Sequence, residues 1–462
     1  MDGDHLNSLT EDLLIEILLW LPVVSLLRSK VVCKLWRSII QSSDFIRRHA
    51  TFENSSSKLG DFIFQYHPSH IMDRNYKPYF FVLSSPRSGD GVEDYCQRSY
   101  KNLGVSPHLN DGDEYVYDLF SCYPPEASMV GSCHGIICVH DPEPRDIILW
   151  NPATKKYRCL PKSLPFLDDF GELNSEFVLF GFDCQTYDYK VVQITFFRID
   201  NEVDINPRNR IQIYSLRSDS WRWCMDANLY GFSNGCNAEN QGRYLHGSYY
   251  FIGSYFRRNE LSYVQRDAVV LSFNFSKESF RMMPGPCEYF DLDAIGGDSG
   301  KIVCISTNFS FTSDSRDVHE VYALNDYDYS CSATNADNKE YSWSKLHVFT
   351  INHTHGGYGI KAVTKNGECG FLLRRGGGLV VVNFLTEEMR DIETIDAFKK
   401  GVGMVFRADV YKESLVSIYS AVPSTNFWGW LEPGQVHSGS ARRHGLPWAW
   451  FILLVMVSNL YD

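Results

Sequence analysis

The sequence predicts an α+β protein in which a small N-terminal all-α module precedes a large all-β, propeller-like domain. Apolar residues recur at helical spacing only within the first fifty residues. From about residue 60, short apolar strands alternate with turns rich in Gly, Asn, Asp and Pro. One strand–turn–strand unit also returns at intervals of roughly 50 to 65 residues, which is typical of a bladed β architecture.

The helical module is predicted to contain three or four short helices. Leucines and isoleucines between Leu13 and Leu21 recur at the spacing of one face of a helix, which predicts the first helix. Pro22 is expected to end it. The segment Ser8–Glu11 has the form of a capping box, and Ser25 is expected to cap the second helix. So few residues cannot cover this much apolar surface by themselves. The module is therefore either a cap folded onto the next domain or a docking module for a partner.

The repeated unit of the β region consists of a strand, an Asn/Asp/Ser turn and a second strand with an aromatic or apolar residue. Its five copies centre on Trp150, Tyr214, Phe273, Tyr322 and Val382. Polar turns close hairpins, while alternating apolar residues pack one sheet against the next. We expect a ring of about six irregular blades, and a β-sandwich with long loops is the alternative.

The charge of the chain lies in its β region. The 44 Lys and Arg against 56 Asp and Glu give a net charge of −12, which argues against nucleic acid as a partner. Residues 1–50 and 427–462 are each neutral, so residues 51–426 carry the whole excess. This excess serves either solubility or the steering of a basic protein. The candidate substrate-contacting acids are Asp111, Asp113, Glu114, Asp168, Asp169 and Glu172.

Motifs that would carry catalysis are not found in the sequence. His353 and His355 have no third metal ligand nearby, and the glycines at 376–378 precede a strand, whereas phosphate loops precede a helix. We expect a non-catalytic chain without a cofactor or a metal. Thirteen scattered cysteines and an acidic N-terminus without a signal peptide predict a cytoplasmic protein.

The segment from Leu9 to Ile40, with Leu21-Pro22 and Val32-Cys-Lys-Leu-Trp36 in order, resembles an F-box, which we assign to residues 6–50. Thr10 and Trp20 depart from the family pattern. The resemblance implies docking on the Skp-family adaptor of a cullin–RING (SCF-type) ubiquitin ligase. The residues implied as adaptor-binding or supporting are Leu9, Leu13, Ile17, Leu21, Pro22, Leu26, Leu27, Val31 and Trp36.

The motifs Gly131–Cys138, Leu149–Pro161 and Tyr214–Trp221 resemble the kelch-like, plant F-box-associated domain, which we assign to residues 60–426. The stretch Val410–Ile418 is similar to S-locus F-box proteins. These resemblances imply a non-catalytic subunit that presents a target for ubiquitination, namely S-RNase in self-incompatibility, within the pollen tube cytosol. A receptor for another developmental or stress-related substrate is the second hypothesis. A β-propeller enzyme with a helical cap is the third.

Residues 427–462 fit neither domain. The apolar run Leu446–Val457 is shorter than the ~20 residues that span a bilayer, so we do not expect a membrane as a partner. A marginal anchor, a final strand and an altered reading frame or retained intron are the alternatives for this tail.

Overall fold

The computed structural model describes most of the helical module and the strands of the β region. The described residues are 10–52, 61–68, 79–83, 100–105, 128–141, 145–165, 173–197, 208–224, 229, 232–233, 242–258, 264–295, 300–308, 316–325, 342–352, 360–373, 379–392 and 403–419. The tail at 427–462 therefore lies outside them.

Four short helices form the N-terminal module: α1 Glu11–Leu19, α2 Val23–Ser29, α3 Lys34–Gln41 and α4 Ser43–Thr51. The predicted capping box was wrong, because Thr10 is the N-cap of α1 and its Oγ1 accepts a hydrogen bond from the amide of Leu13 at 3.4 Å. Ser25 was also wrongly predicted as a cap, since α2 follows Pro22 directly and buries Ser25 within it. Proline suits a helix start because it needs no amide partner there.

The β region begins with twelve strands: β1 Phe62–Pro68, β2 Tyr79–Leu83, β3 Tyr100–Val105, β4 Ser128–Cys133, β5 Ile136–Asp141, β6 Asp146–Asn151, β7 Lys156–Cys159, β8 Leu173–Asp183, β9 Asp188–Phe197, β10 Arg208–Ser215, β11 Ser220–Trp223 and β12 Phe232–Ser233. The later strands are β13 Arg243–Leu245, β14 Ser248–Arg258, β15 Val264–Asn274, β16 Ser279–Pro284, β17 Asp291–Ile295, β18 Lys301–Asn308, β19 Arg316–Asn325, β20 Ser342–Asn352, β21 Ile360–Val363, β22 Cys369–Leu373, β23 Leu379–Asn383, β24 Met389–Asp391 and β25 Gly403–Val410.

These strands form six antiparallel sheets, which are the blades of a β-propeller. In chain order the blades contain β25-β1-β2-β3, β4–β7, β8–β11, β12–β16, β17–β20 and β21–β24. Neighbouring blades contact one another through their inner strands. Apolar side chains fill the space between the blades, as where Phe64 stacks on Phe81 and meets Phe371 of blade 6. The predicted ring of about six blades is confirmed, and the β-sandwich alternative is wrong.

The repeated sequence unit is the outer hairpin of a blade. Its five copies are the pairs β6–β7, β10–β11, β15–β16, β19–β20 and β23–β24. In three of them an asparagine at the strand end organises the turn by accepting backbone amides: Asn151 from Thr154, Asn274 from Ser276 and Lys277, and Asn383 from Leu385 and Thr386. Asparagine favours turns because its short side chain binds the following backbone in this way.

The ring is closed by the C-terminal strand. β25 pairs with β1 along its whole length, from Phe62 opposite Val410 to Pro68 opposite Gly403. Blade 1 is thus assembled from two parts of the chain that lie more than three hundred residues apart in sequence.

Two buried ion pairs, Arg243–Asp293 and Arg407–Asp409, lie on the inner strands, and their members form hydrogen bonds that join different blades. Arg243 of blade 4 donates from Nε to Asp293 Oδ1 of blade 5 at 2.7 Å and from Nη2 to the carbonyl of Lys361 in blade 6 at 3.1 Å. Arg407 of blade 1 donates to the carbonyl of Gly242 at 2.7 Å, and Asp409 accepts the amide of Ser132 in blade 2 at 3.0 Å. Charge is tolerated in a protein interior when an opposite charge and hydrogen-bond partners lie beside it in this way.

Within the described residues, none of the helices has the length and apolar character that a membrane crossing requires.

Candidate functional site

The helical module has apolar side chains both in its core and on its surface. Leu14, Leu18 and Leu19 of α1 are buried with residues of the other helices. Leu13, Ile17 and Trp20 form a second stripe at i, i+4 and i+7, and Leu13 and Trp20 are 53% and 59% exposed. A helix that is apolar on two faces is suited to packing against two bodies. The buried face of α1 packs against the other helices of the module, and the exposed face can pack against a partner.

The structure divides the sequence-predicted docking residues into three groups. Leu13 and Val31 are exposed, and Val31 is the more accessible at 81%. Leu26 is completely buried in the core of the module, so in this conformation it supports the surface without forming it. Leu9 lies outside the described residues. The half-buried group consists of Ile17, Leu21, Pro22, Leu27 and Trp36.

Three exposed apolar residues were missing from the predicted set, namely Trp20, Val24 and Leu35. Trp20 lies seven residues after Leu13, and this two-turn spacing was a signal in the sequence that would have placed both on one face. We use the name apolar ridge for Leu13, Trp20, Val24, Val31 and Leu35.

The helical module rests on blade 2 through a strap, residues 411–419, that follows β25. Leu415 of the strap and Ala153 of the β6–β7 turn are buried in the helical core. Lys412 Nζ donates to the carbonyls of Ala50 at 2.8 Å and Phe52 at 2.5 Å, where α4 ends. A lysine suits this position because the last carbonyls of a helix are unpaired and partly negative.

The strap is fixed to the propeller by buried polar contacts. Asn151 donates to the carbonyls of Ser414 at 3.1 Å and Val416 at 2.9 Å, and Ser414 Oγ donates to the carbonyl of His134 at 2.5 Å. Gly135 follows His134 in a left-handed conformation (φ +76°), and a Cβ there would lie 2.4 Å from the carbonyl oxygen of Lys412. The strap therefore holds the helices and blade 2 in one arrangement.

His49 lies at this junction, with its Nε2 3.0 Å from the carbonyl oxygen of Leu21. Burial lowers the pKa of His49 despite that hydrogen bond. The imidazole is thus kept neutral as part of the packing between α1 and α4.

All six candidate acids, Asp111, Asp113, Glu114, Asp168, Asp169 and Glu172, lie outside the described residues. The strands that follow them are described. Residues 106–127 lead into β4 and residues 166–172 lead into β8. The turn after β4 contacts the strap, and Tyr187 after β8 faces Arg47 of α4 with 5.9 Å between the guanidinium carbon and the ring centroid. Both strands therefore end at the helical side and begin at the far side of the propeller.

Among the described residues, there is no group of three or more His, Cys, Asp or Glu side chains that could hold a metal ion. His353 and His355 are not part of this set, because they lie outside the described residues.

Comparison with known proteins identifies both parts of the chain. Residues 98–418 match the model of the F-box associated beta propeller domain, and residues 6–48 match the F-box domain. An F-box/kelch-repeat protein of Arabidopsis thaliana is 27% identical over 356 residues, which cover 74% of this chain and 79% of that protein. Another F-box/kelch-repeat protein of that plant is 22% identical and covers 88% of this chain and 89% of its own length.

Among solved structures, an oligogalacturonate lyase covers 73% of this chain at 9% identity, and its TM-score of 0.34 is too low to support an argument. The family matches and the geometry described above agree with each other: a four-helix module with an exposed apolar ridge is fastened to a six-bladed propeller. The chain belongs to the F-box associated beta propeller domain family and carries an F-box domain at its N-terminus.

Proposed function

We propose that this protein is the substrate-recognition subunit of an SCF-type cullin–RING ubiquitin ligase. Its F-box docks on a Skp-family adaptor, and its propeller holds a target protein. The chain itself is non-catalytic in this proposal, because the ubiquitin-transferring cysteine belongs to a partner and the receptor acts by bringing the reactants together.

The apolar ridge is the observation that carries the proposal. The F-box has a packed core that Ala153 and Leu415 complete, yet five large apolar side chains remain exposed on helices α1 to α3 and their connections. Exposed apolar surface of this density is characteristic of sites that another protein covers. Aromatic residues such as Trp20 are enriched among those that dominate binding energy.

An aspartate substitution at Val31 tests the docking step. The side chain is 81% exposed, so Val31→Asp should leave the fold intact but place a charge in an apolar contact. We expect co-purification with a Skp-family adaptor to fall by at least about tenfold, equal to ~1.4 kcal/mol. Val348→Asp on β20 is the matched control, because Val348 is 52% exposed on the propeller. Unchanged adaptor binding by Val31→Asp would refute the proposed docking surface.

The proposed target is a basic protein that meets the far side of the propeller. Residues 106–127 contain five Asp and Glu without Lys or Arg, and residues 166–172 contain three. The described strands that follow these segments, β4 and β8, begin at the end that lies away from the F-box. Opposite charge accelerates encounter and selects among partners.

S-RNase in gametophytic self-incompatibility is our first candidate for this target, and the pollen tube cytosol is the proposed location. The full chain would be tested against a panel of S-RNases at low and high salt. We expect capture to weaken as salt rises, and to weaken in a variant with Asp111, Asp113 and Glu114 changed to their amides. Salt-independent or absent capture of the whole panel would favour a different developmental or stress-related substrate.

A further inference from the structure

Three cations from three different elements meet at the junction between the F-box and blade 2. Lys30 is the C-cap of α2, Arg37 lies on α3 and Lys156 begins β7. We call these three residues the seam cluster. Their proximity follows from the packing, since Ala153, three residues before Lys156, is buried in the helical core. Burial lowers the pKa of Lys30, and the charges of Lys156 and Arg37 lower it further.

Among the described residues, no carboxylate forms an ion pair with the seam cluster, whereas several other cations near this junction are paired. Farther along blade 2, Arg158 pairs with Asp219, and Lys162 pairs with Asp146 at 2.7 Å. On the F-box, Arg48 pairs with Glu16. Like charges held together destabilise the free protein. A negatively charged partner that covers the three cations would remove this repulsion.

The cluster adjoins the apolar ridge. Val31 follows Lys30 directly, and Leu35 lies two residues before Arg37. On the propeller side, the ring of Tyr419 lies 5.8 Å from Lys156 Nζ, and its hydroxyl donates to the carbonyl of Tyr157 at 3.1 Å. Tyr157 and Tyr419 are both exposed. An apolar centre bordered by charged and tyrosine side chains is the usual composition of a protein interface.

We propose that the adaptor-docking surface extends beyond the F-box onto the β6–β7 hairpin of blade 2, where the seam cluster receives an acidic segment of the adaptor. This inference rests on the proposed function and adds the chemistry of the partner surface. The partner segment carries carboxylates, which pair with Lys30, Arg37 and Lys156 and relieve their mutual repulsion. The propeller thereby takes part in adaptor binding as well as in target binding.

The test is Lys156→Glu in the full chain, measured by its binding to a purified Skp-family adaptor. We expect an approximately tenfold weaker complex at about 50 mM salt, mainly through slower association, and a much smaller effect at about 500 mM salt. The thermal unfolding midpoint of the free variant should not fall, because a glutamate at 156 attracts Lys30 and Arg37. Loss of binding without loss of stability separates an interface role from a folding defect.

Lys301→Glu is the matched control, because Lys301 is an exposed lysine on blade 5, whereas the F-box rests on blade 2. It should bind like the unmodified chain. If Lys156→Glu also binds like the unmodified chain at low salt while Val31→Asp does not bind, the extended surface is refuted and the proposed function stands. If Val31→Asp binds normally, the proposed docking surface fails, and this inference fails with it. If the unmodified chain does not bind the adaptor, the proposed function itself fails.

Discussion

Replacing Asp293 with alanine is expected to destabilise the propeller by about 3 to 5 kcal/mol, since it removes one partner of a buried ion pair. Asp293 is 4% exposed, and its carboxylate accepts Arg243 Nε at 2.7 Å and the amides of Ala294 at 2.8 Å and Val363 at 2.5 Å. Burial raises the pKa of Asp293, and the attraction of Arg243 offsets this only in part. Without the carboxylate, the buried guanidinium loses its closest acceptor.

Urea unfolding followed by tryptophan fluorescence measures this loss. Glu388→Ala is the control, because the Arg390–Glu388 pair has a similar distance, 2.7 Å, but lies at the surface, where such pairs contribute less than about 1 kcal/mol. The double replacement Arg243→Met with Asp293→Leu should recover most of the loss, because it removes both charges. A loss for Asp293→Ala no larger than that of Glu388→Ala would refute the reasoning.

Burial lowers the pKa of His319 to about 4, so the folded state favours the neutral ring. This preference stabilises the folded protein by up to about 3 kcal/mol. The stabilisation is complete above pH ~6.5 and is lost as the pH falls through 4. His319→Gln should flatten the urea midpoint over that range, and an unchanged slope would contradict the assignment. Burial would raise the pKa of Asp183, but hydrogen bonds from Lys190 and from hydroxyl groups lower it to about 2. The ionised carboxylate therefore stabilises the fold above pH ~4, and this stabilisation is lost towards pH 2. Asp183→Asn should move the midpoint of acid unfolding, measured by circular dichroism, to higher pH, and an identical midpoint would contradict this. A Cβ on Gly242 would lie 1.9 Å from a carbonyl oxygen of β14, whereas one on Gly131 would meet nothing closer than 3.4 Å. Gly242→Ala should therefore cost more than about 2 kcal/mol in urea unfolding and Gly131→Ala much less, and equal costs would show that the close approach does not matter.

The sequence allowed five of the six blades to be predicted because their outer hairpins are local. Each unites a strand, a polar turn and a second strand within a short stretch, and an asparagine such as Asn274 fixes the turn through neighbouring amides. Blade 1 shows no such repeat, because sixteen residues (84–99) separate its outer strands β2 and β3 where the repeat has a short polar turn. Its inner strands, β25 and β1, come from opposite ends of the β region. Pairing between such distant segments is determined by the closure of the ring, and local sequence carries no record of it.

The docking residues could be predicted only as a mixed set. Leu26 and Val31 are both apolar residues of the second helical segment, yet one is fully buried and the other is 81% exposed. Hydrophobic spacing identifies apolar faces, but which face is covered depends on α3, α4 and the strap, which are distant in sequence or follow later. The predicted start of α2 was wrong for a related reason. Pro22 is the N-cap of α2, and Ser25 is buried within the helix.

Closure of the ring by β25 also means that blade 1 can be completed only late in synthesis of the chain. β1 leaves the ribosome more than three hundred residues before its partner, so at ordinary translation rates its edge remains unpaired for roughly 20 to 70 seconds. The strap is made even later, immediately after β25, and it supplies Leu415 and Lys412 to the F-box. A chain released early thus lacks both the closed ring and the support beneath its helices. A newly made chain therefore acquires a firmly seated F-box only when the propeller is complete.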